Sequence, residues 1–255
     1  MSSRNNTIRV AAAAVAALAW SAQAWAGHVT DEFENGETRP LSIALLPVEA
    51  TVVKAKAVDT ETLVQEGIEY GAVYAELASD IMTGKGYTVR VIEPDRINAD
   101  PRLQEYVVDA NRRYDEMVSR LRPRRIKRRI YNAGDEVRLL ADYLGVDAIA
   151  FSRLNVTVTP MGGAIVGALF GGGSSPGTSS TLSIVDGRSG DLEAHYLGIR
   201  PVMPGEKSEE QVLEQVADVA RRALGSLPTA DPSKRQASTA SEEDVLNELE
   251  SLLDQ

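Results

Sequence analysis

The sequence predicts an α/β (α+β) domain whose mixed β-sheet is covered by helices, and three observations lead to this class. Residues 41–50 (LSIALLPVEA) form a continuous apolar run, which is typical of a strand buried on both faces. Strand-like and helix-like segments then alternate, which favours parallel strands joined by helices. Residues 180–201 have the pattern of an antiparallel hairpin. The predicted order is β-α-β-α-α-β-β-β-α, followed by a carboxyl-terminal helical tail.

The first half of the domain is predicted to continue with three helices and a second strand. Apolar residues at helical spacing predict a helix over 61–85, and the alternation that follows predicts a strand over 87–94. A long amphipathic helix is predicted over 102–122, and a shorter helix over 134–144. The stripe of the first helix comprises Leu63, Ile68, Val73, Leu77 and Ile81, and that of the long helix comprises Tyr106, Val107, Ala110, Tyr114, Met117, Val118 and Leu121.

The second half of the domain is predicted to begin with a long strand over 145–160. The hairpin over 180–201 then turns at residues 186–191 (DGRSGD). We expect Gly187 and Gly190 to supply the positive φ angles that such a turn needs.

The domain is predicted to close with an amphipathic helix over 208–224. Ser208 is its expected cap, because Gln211 follows three residues later as in a capping box. Residues 228–240 are rich in Pro, Ser, Thr and Ala, which indicates a linker. Residues 241–255 are predicted to form a short acidic helix.

The amino terminus has the pattern of a secretory signal peptide, residues 1–26. A basic start precedes an apolar run over 10–20, and AWA at 24–26 predicts cleavage before Gly27. The apolar run is too short to span a bilayer, and no cysteine follows it to carry a lipid. We therefore expect a periplasmic protein, soluble or associated with the outer membrane.

The mature chain is acidic and contains no cysteine. Removal of the signal peptide takes away two arginines, so the formal charge changes from −10 to −12. This charge disfavours nucleic acid as a partner, and disulfides and thiolate metal sites are excluded. The predicted organisation is a polar, flexible leader over 27–40 and an α/β domain over 41–227, with a helical, basic insertion over 95–133.

Several phrases of the chain resemble the CsgG-like and TolB amino-terminal-like α/β domains of bacterial cell-envelope proteins. These phrases are IALLPVEA, GYTVRVIEP, LLADYLGVDAIAFSRL and STLSIVDGRSGDLEAHY, the last with Asp186, Gly187, Gly190 and Leu192 at its turn. The resemblance covers residues 41–227 and implies an envelope accessory or assembly role. It brings no catalytic residues, and the chain departs from it at the insertion and in lacking a lipid-bearing cysteine.

No residue pattern of the chain indicates an enzyme, a metal site or a cofactor. The mature chain has two histidines, His28 in the leader and His195 on a predicted strand, where we expect it to be half-exposed. Catalytic and metal sites need a constellation of groups, and DLEAH is not one. An exported hydrolase with a carboxylate pair stays open, because such a pair forms only in three dimensions.

A basic run over 120–129 is the first candidate interaction element. It is either a solvated loop or a docking site for phosphate-bearing lipid, anionic glycan or an acidic protein segment. Its seven cations are Arg120, Arg122, Arg124, Arg125, Lys127, Arg128 and Arg129.

The glycine-spaced segment 162–177 is the second candidate. It lacks the Lys-Ser or Lys-Thr of a phosphate-binding loop, and its apolar run of about 13 residues is too short for a spanning helix. It is either a connection between strands or a contact element, and a minor membrane-inserting pore component remains an alternative. Its candidate contact residues are Ile165, Val166, Leu169 and Phe170.

The tail over 241–255 is the third candidate. It has six acidic residues, no cation and a helical apolar stripe, so we expect it to dock on its own domain, on a second copy or on another protein. An unfolded tail is the alternative, since a helix this short is marginal in water. The stripe comprises Val245, Leu246, Leu249, Leu252 and Leu253. Together the three candidates predict a non-catalytic, self-associating envelope assembly protein that acts through protein–protein interaction.

Overall fold

The computed structural model describes residues 28–55, 60–122, 130–158, 177–201 and 208–230. Eight strands form one mixed sheet, and helices cover both of its faces, so the predicted α/β class is confirmed. The strands are β1 His28–Val29, β2 Ser42–Leu45, β3 Glu49–Ala55, β4 Thr60–Thr62, β5 Thr88–Val91, β6 Ala148–Val158, β7 Gly177–Asp186 and β8 Leu192–Pro201. The helices are α1 Asp31–Asn35, α2 Val64–Gly84, α3 Pro94–Ala99, α4 Pro101–Ser119, α5 Asp135–Leu144 and α6 Glu209–Gly225.

The sheet has the order β1-β8-β7-β6-β2-β5, with β3 and β4 beside the far half of β6. Strands β2 and β3 are parallel to β6, whereas β6, β7 and β8 form an antiparallel meander. The prediction of a single strand over 41–50 is wrong. The segment forms two strands, β2 and β3, which pair with the first and the second half of β6. Pro47 separates them, because proline has no N–H to donate to the neighbouring strand.

Helix α2 packs so closely on the sheet that small residues and tyrosines form its buried side. A Cβ added at Gly67 would lie 3.1 Å from the Ala50 carbonyl oxygen. Tyr70 and Tyr74 are buried, but Ile68 is 63% exposed. The predicted apolar stripe of this helix is therefore wrong at Ile68, because the face that meets the sheet is rotated away from it.

The leader predicted to be flexible over 27–40 is instead part of the fold from residue 28 onward. Strand β1 pairs with β8, and Phe33 of α1 is fully buried. The buried Arg39 guanidinium donates to the carbonyl oxygens of Phe33, Glu34 and Thr229, at 2.6 to 3.1 Å. The sequence pattern does not predict these contacts, because they depend on one phenylalanine and one arginine that belong to no periodic pattern.

The first residues of the predicted linker also lie on the domain. The Tyr87 hydroxyl donates to the Pro228 carbonyl oxygen at 2.8 Å. The Ala230 N–H donates to the Lys85 carbonyl oxygen, also at 2.8 Å. Residues 228–230 are thus fixed, and the remaining linker and the tail lie outside the described residues.

The predicted hairpin and helix cap are confirmed, with one correction. Ser208 and Gln211 form the capping box of α6. Gly190 has a φ of +77° as expected, whereas Gly187 has no positive φ. Gly187 is required for space, because a Cβ there would lie 2.6 Å from the Cβ of Ala141.

Two apolar cores lie on the two faces of the sheet. The first is packed under α1, α2 and α6, and the second under α4 and α5. The segment 95–133 supplies α4, whose Leu103, Val107 and Tyr114 are buried in the second core. A groove opens on the outer side of this second layer.

Candidate interaction site

Of the candidate contact residues in the three elements, the structure describes Arg120 and Arg122. Arg120 is the residue that ends α4, and the Arg122 N–H donates to the Tyr131 hydroxyl at 3.0 Å. The other candidates lie outside the described residues: Arg124, Arg125, Lys127, Arg128, Arg129, Ile165, Val166, Leu169, Phe170, Val245, Leu246, Leu249, Leu252 and Leu253. They stay predictions.

A short segment, residues 130–134, forms one wall of a groove between α4 and α5, and we call this segment the strap. The Asn132 side-chain amide donates to the Ser189 carbonyl oxygen and to the Asp191 carboxylate, both at 2.8 Å. The Leu192 N–H donates to the Tyr131 carbonyl oxygen at 2.8 Å. The strap is thereby fastened to the β7–β8 turn.

Two glycines allow the close approach of the strap to this turn. Gly134 and Gly190 both have positive φ angles, +87° and +77°. A Cβ on Gly190 would lie 2.7 Å from the Gly134 carbonyl oxygen. The turn that the sequence predicts as a hairpin feature therefore also positions the groove wall.

The groove between α4, α5 and the strap, hereafter the α4–α5 groove, encloses about 620 Å³. Met117 and Ala133 form a buried floor. Ile130 and Leu139 stand at its opening, 80% and 50% exposed. Exposed isoleucine and leucine over an apolar floor form a surface that gains from being covered.

The two arginines that line the groove differ in their ion pairs. Arg113 donates to Glu136 at 2.7 Å and to Glu116 at 3.1 Å, and this arginine holds the pKa of Glu136 below its usual value. Arg120 lies at the groove with no ion pair to any residue in the described ranges. One end of the groove thus presents an arginine available to an anionic partner.

The sequence did not predict the groove, because it joins residues from three separate segments. Ile130 and Leu139 stand nine positions apart and come together only when the strap folds against α5. Two local signals point to it: Arg120 of the basic run, and Ile130, an apolar residue directly after that run.

The second histidine belongs to a buried hydrogen-bonded chain beneath α4. The Tyr114 hydroxyl contacts the Ser183 hydroxyl at 2.8 Å, and Ser183 contacts Nδ1 of His195 at 2.8 Å. His195 is 7% exposed, so the expectation of a half-exposed histidine is wrong. Burial, with a smaller effect from His28, lowers its pKa to about 4. These buried hydrogen bonds link α4 to β7 and β8.

The buried carboxyl group of Glu193 lies between the amino-terminal segment and β8. Desolvation raises the pKa of Glu193 above its usual value, and nearby Asp186 and Asp191 add to the rise. Its Oε2 accepts hydrogen bonds from the hydroxyls of Thr30 at 2.6 Å and Thr38 at 2.7 Å. These contacts use Glu193 to hold the amino-terminal segment against β8.

A second groove, of about 450 Å³, lies at the end of β6, where Val158 is part of its lining. Val52, Leu63 and Val212 contribute apolar lining, and Glu66, Glu69 and Glu209 contribute acidic groups. Within the described ranges, no group of three or more histidine, aspartate or glutamate residues is arranged to hold a metal ion. No helix of those ranges is long and apolar enough to cross a membrane.

Comparison with known proteins gives no family. No protein-family profile matches the chain, and no curated protein matches it by sequence. Among solved structures, a PelC dodecamer from Paraburkholderia phytofirmans is 10% identical, with 73% of this chain and 88% of that chain covered and a TM-score of 0.35. The lipoprotein GNA1162 from Neisseria meningitidis is 13% identical, with 74% and 99% covered and a TM-score of 0.34. Scores of this size establish neither a shared fold nor a shared function, so the resemblance to CsgG-like and TolB domains stays a prediction.

Proposed function

We propose that this chain is a non-catalytic, exported protein of the bacterial cell envelope that works by binding other macromolecules, including copies of itself. The α4–α5 groove is its binding surface. The observation that carries the proposal is that exposed Ile130 and Leu139 lie in one groove with Arg120, which forms no ion pair with the residues that the structure describes.

The apolar part of the groove supplies the affinity. Covering a leucine or isoleucine side chain contributes roughly 1.5–3 kcal/mol when the side chain goes from full exposure to full burial. Ile130, 80% exposed, gains most of this range, and Leu139, 50% exposed, gains about half. The sum, of the order of 2–4 kcal/mol, is a substantial share of a micromolar affinity of about 8 kcal/mol.

The charged part of the groove selects the partner. Arg120 lines one side, and the nine residues that join Arg120 to Ile130 in the sequence carry six further cations. Positive charge concentrated in this way favours an anionic partner and accelerates its encounter at low salt. An acidic protein segment with an apolar face satisfies both parts, whereas an anionic lipid or glycan surface satisfies the charge alone.

The test compares the double variant Leu139→Ser, Arg120→Ser with Val108→Ser. Val108 is a matched control because it is 59% exposed on α4 and does not line the groove. Sedimentation velocity over a concentration series measures self-association, and flotation with phosphatidylglycerol vesicles measures lipid binding.

We expect the groove variant to raise the association midpoint at least about tenfold, which corresponds to the loss of about 1.4 kcal/mol, while the control leaves it unchanged. Equal behaviour of the groove variant and the control in both assays would contradict the proposal. Loss of vesicle binding alone would assign the groove to a lipid surface in place of a protein.

A further inference from the structure

We propose that the first occupant of the α4–α5 groove is the chain's own carboxyl-terminal tail, residues 241–255, bound in cis. The inference rests on the proposed function, since it names what covers the binding surface before any partner arrives. Three properties support it: the apolar face of the tail, its charge, and the length of chain that tethers it.

The tail has the chemistry that the groove requires. Five apolar residues at helical spacing form one face, and six acidic residues with no cation occupy the rest. The groove offers Ile130 and Leu139 to the apolar face and Arg120 to the acids. Both described grooves carry three carboxylates. Those of the α4–α5 groove are ion-paired, Glu116 and Glu136 with Arg113 and Asp135 with Arg138, whereas the second groove has Lys54 as its one lining cation beside Glu66, Glu69 and Glu209 and is the more repulsive of the two to an acidic tail.

The distance to be spanned follows from the fold. Ala230 is fixed to Lys85, just before β5, and the strap is fixed to the turn between β7 and β8. Strands β5, β2, β6 and β7 are successive neighbours, and their ends meet at the same edge, so three strand spacings amount to about 14 Å. Ala230 packs against the first core and the groove lies over the second, on the opposite face, so a helical layer of roughly 10 Å at right angles to the strand spacings makes the span at least about 17 Å.

The tether is long enough to cover this distance. Ten residues, 231–240, separate Ala230 from the tail. A flexible chain of this length has an end-to-end distance of about 17 Å, and its fully extended length is about 35 Å. A tether whose average length matches the span gives an effective concentration in the millimolar range.

This effective concentration decides between the tail in cis and a competitor. A second copy of the chain or an external acidic segment, present at micromolar concentration, must bind about a hundredfold to a thousandfold more tightly to displace it. Only a partner with a larger contact area or a better apolar match will therefore open the surface. The groove is selective because it is already covered.

The test uses cysteine pairs in the full chain, which has no natural cysteine to interfere. The pair Leu139→Cys with Leu249→Cys joins the groove to the tail's apolar face. The control pair Val108→Cys with Leu249→Cys joins the same tail position to an exposed site of α4 outside the groove. Both are oxidised at low protein concentration, and disulfide formation is followed by non-reducing electrophoresis and mass spectrometry.

We expect the groove pair to close within one chain at least about tenfold faster than the control pair, and we expect adding Arg120→Glu to slow it. Equal rates for the two pairs would overturn the proposal. A disulfide formed mainly between two chains would also overturn it, by assigning the tail to a second copy, and would leave the proposed function standing. The proposed function fails on a separate result, unchanged association after substitution of the groove.

Discussion

The burial of His195 predicts a specific loss of stability in acid. Its folded pKa of about 4 lies below the ordinary value of 6.5. As pH falls, the unfolded chain therefore takes up the proton first, and the equilibrium moves toward unfolding. The contribution is fully present above about pH 6.5 and is lost as pH falls through the window down to about 4.

The magnitude follows from the two pKa values. The whole shift corresponds to about 3 kcal/mol, at 1.36 kcal/mol per unit. Between pH 7 and pH 4.5, the unfolded histidine becomes almost fully protonated while His195 in the folded protein stays mostly neutral. The expected loss over that interval is about 2 kcal/mol, or roughly 4–8 °C in Tm for a domain of this size.

The perturbation is His195→Gln, because glutamine can still hydrogen-bond to Ser183 but does not titrate. Urea unfolding of the wild type and the variant is measured at pH 7 and pH 4.5, and the difference in their pH dependence isolates His195. Carboxylates that titrate in the same range are common to both proteins, and their effects cancel. His28→Gln is the matched control, since His28 pairs with His195 across the sheet but is only partly buried.

We expect the variant to lose about 2 kcal/mol less than the wild type on acidification, and His28→Gln to behave much like the wild type. Parallel losses in the wild type and His195→Gln would refute the reasoning. Proton NMR of the native protein gives an independent reading, because the His195 imidazole should not titrate between pH 7 and pH 5.

Three further expectations follow from the described and the predicted segments. Gly187→Ala should lower stability by about 1–3 kcal/mol, because its Cβ would meet the Cβ of Ala141 at 2.6 Å, whereas Gly84→Ala, with no atom within 4 Å, should not; equal Tm values would contradict this. Amino-terminal sequencing of the exported protein should begin at Gly27, and a start at Met1 would remove the signal-peptide prediction. Replacing residues 162–177 with a Gly-Ser linker should leave Tm nearly unchanged and abolish self-association or liposome binding, and an unfolded product would show that the segment is core.

Sequence periodicity predicted the elements that are defined by their own residues. The hairpin that turns at Gly190 and the Ser208–Gln211 capping box depend on neighbours within a few positions, and both are present. Contacts between distant segments were not predictable in this way. Arg39 fixes the leader to the far end of the domain by donating to the Thr229 carbonyl oxygen, 190 positions away, and the local pattern of polar residues does not predict this contact.

The candidate site shows the same division. The basic run located one end of the groove, because Arg120 is a local feature of the sequence. Its apolar half depends on Ile130 and Leu139, which meet only after Asn132 fastens the strap to the β7–β8 turn. The role of Gly187 was misjudged for a related reason, since the atom that requires a glycine there belongs to α5.

The Arg39 guanidinium also sets an order of events during folding. It joins the carbonyl oxygens of Phe33, near the start of the described residues, and Thr229, near their end. Synthesis from the amino terminus produces Phe33 first and Thr229 only after nearly two hundred further residues. The contact cannot form before Thr229 has been made. The amino-terminal segment therefore stays without this contact until synthesis of the described domain is almost complete.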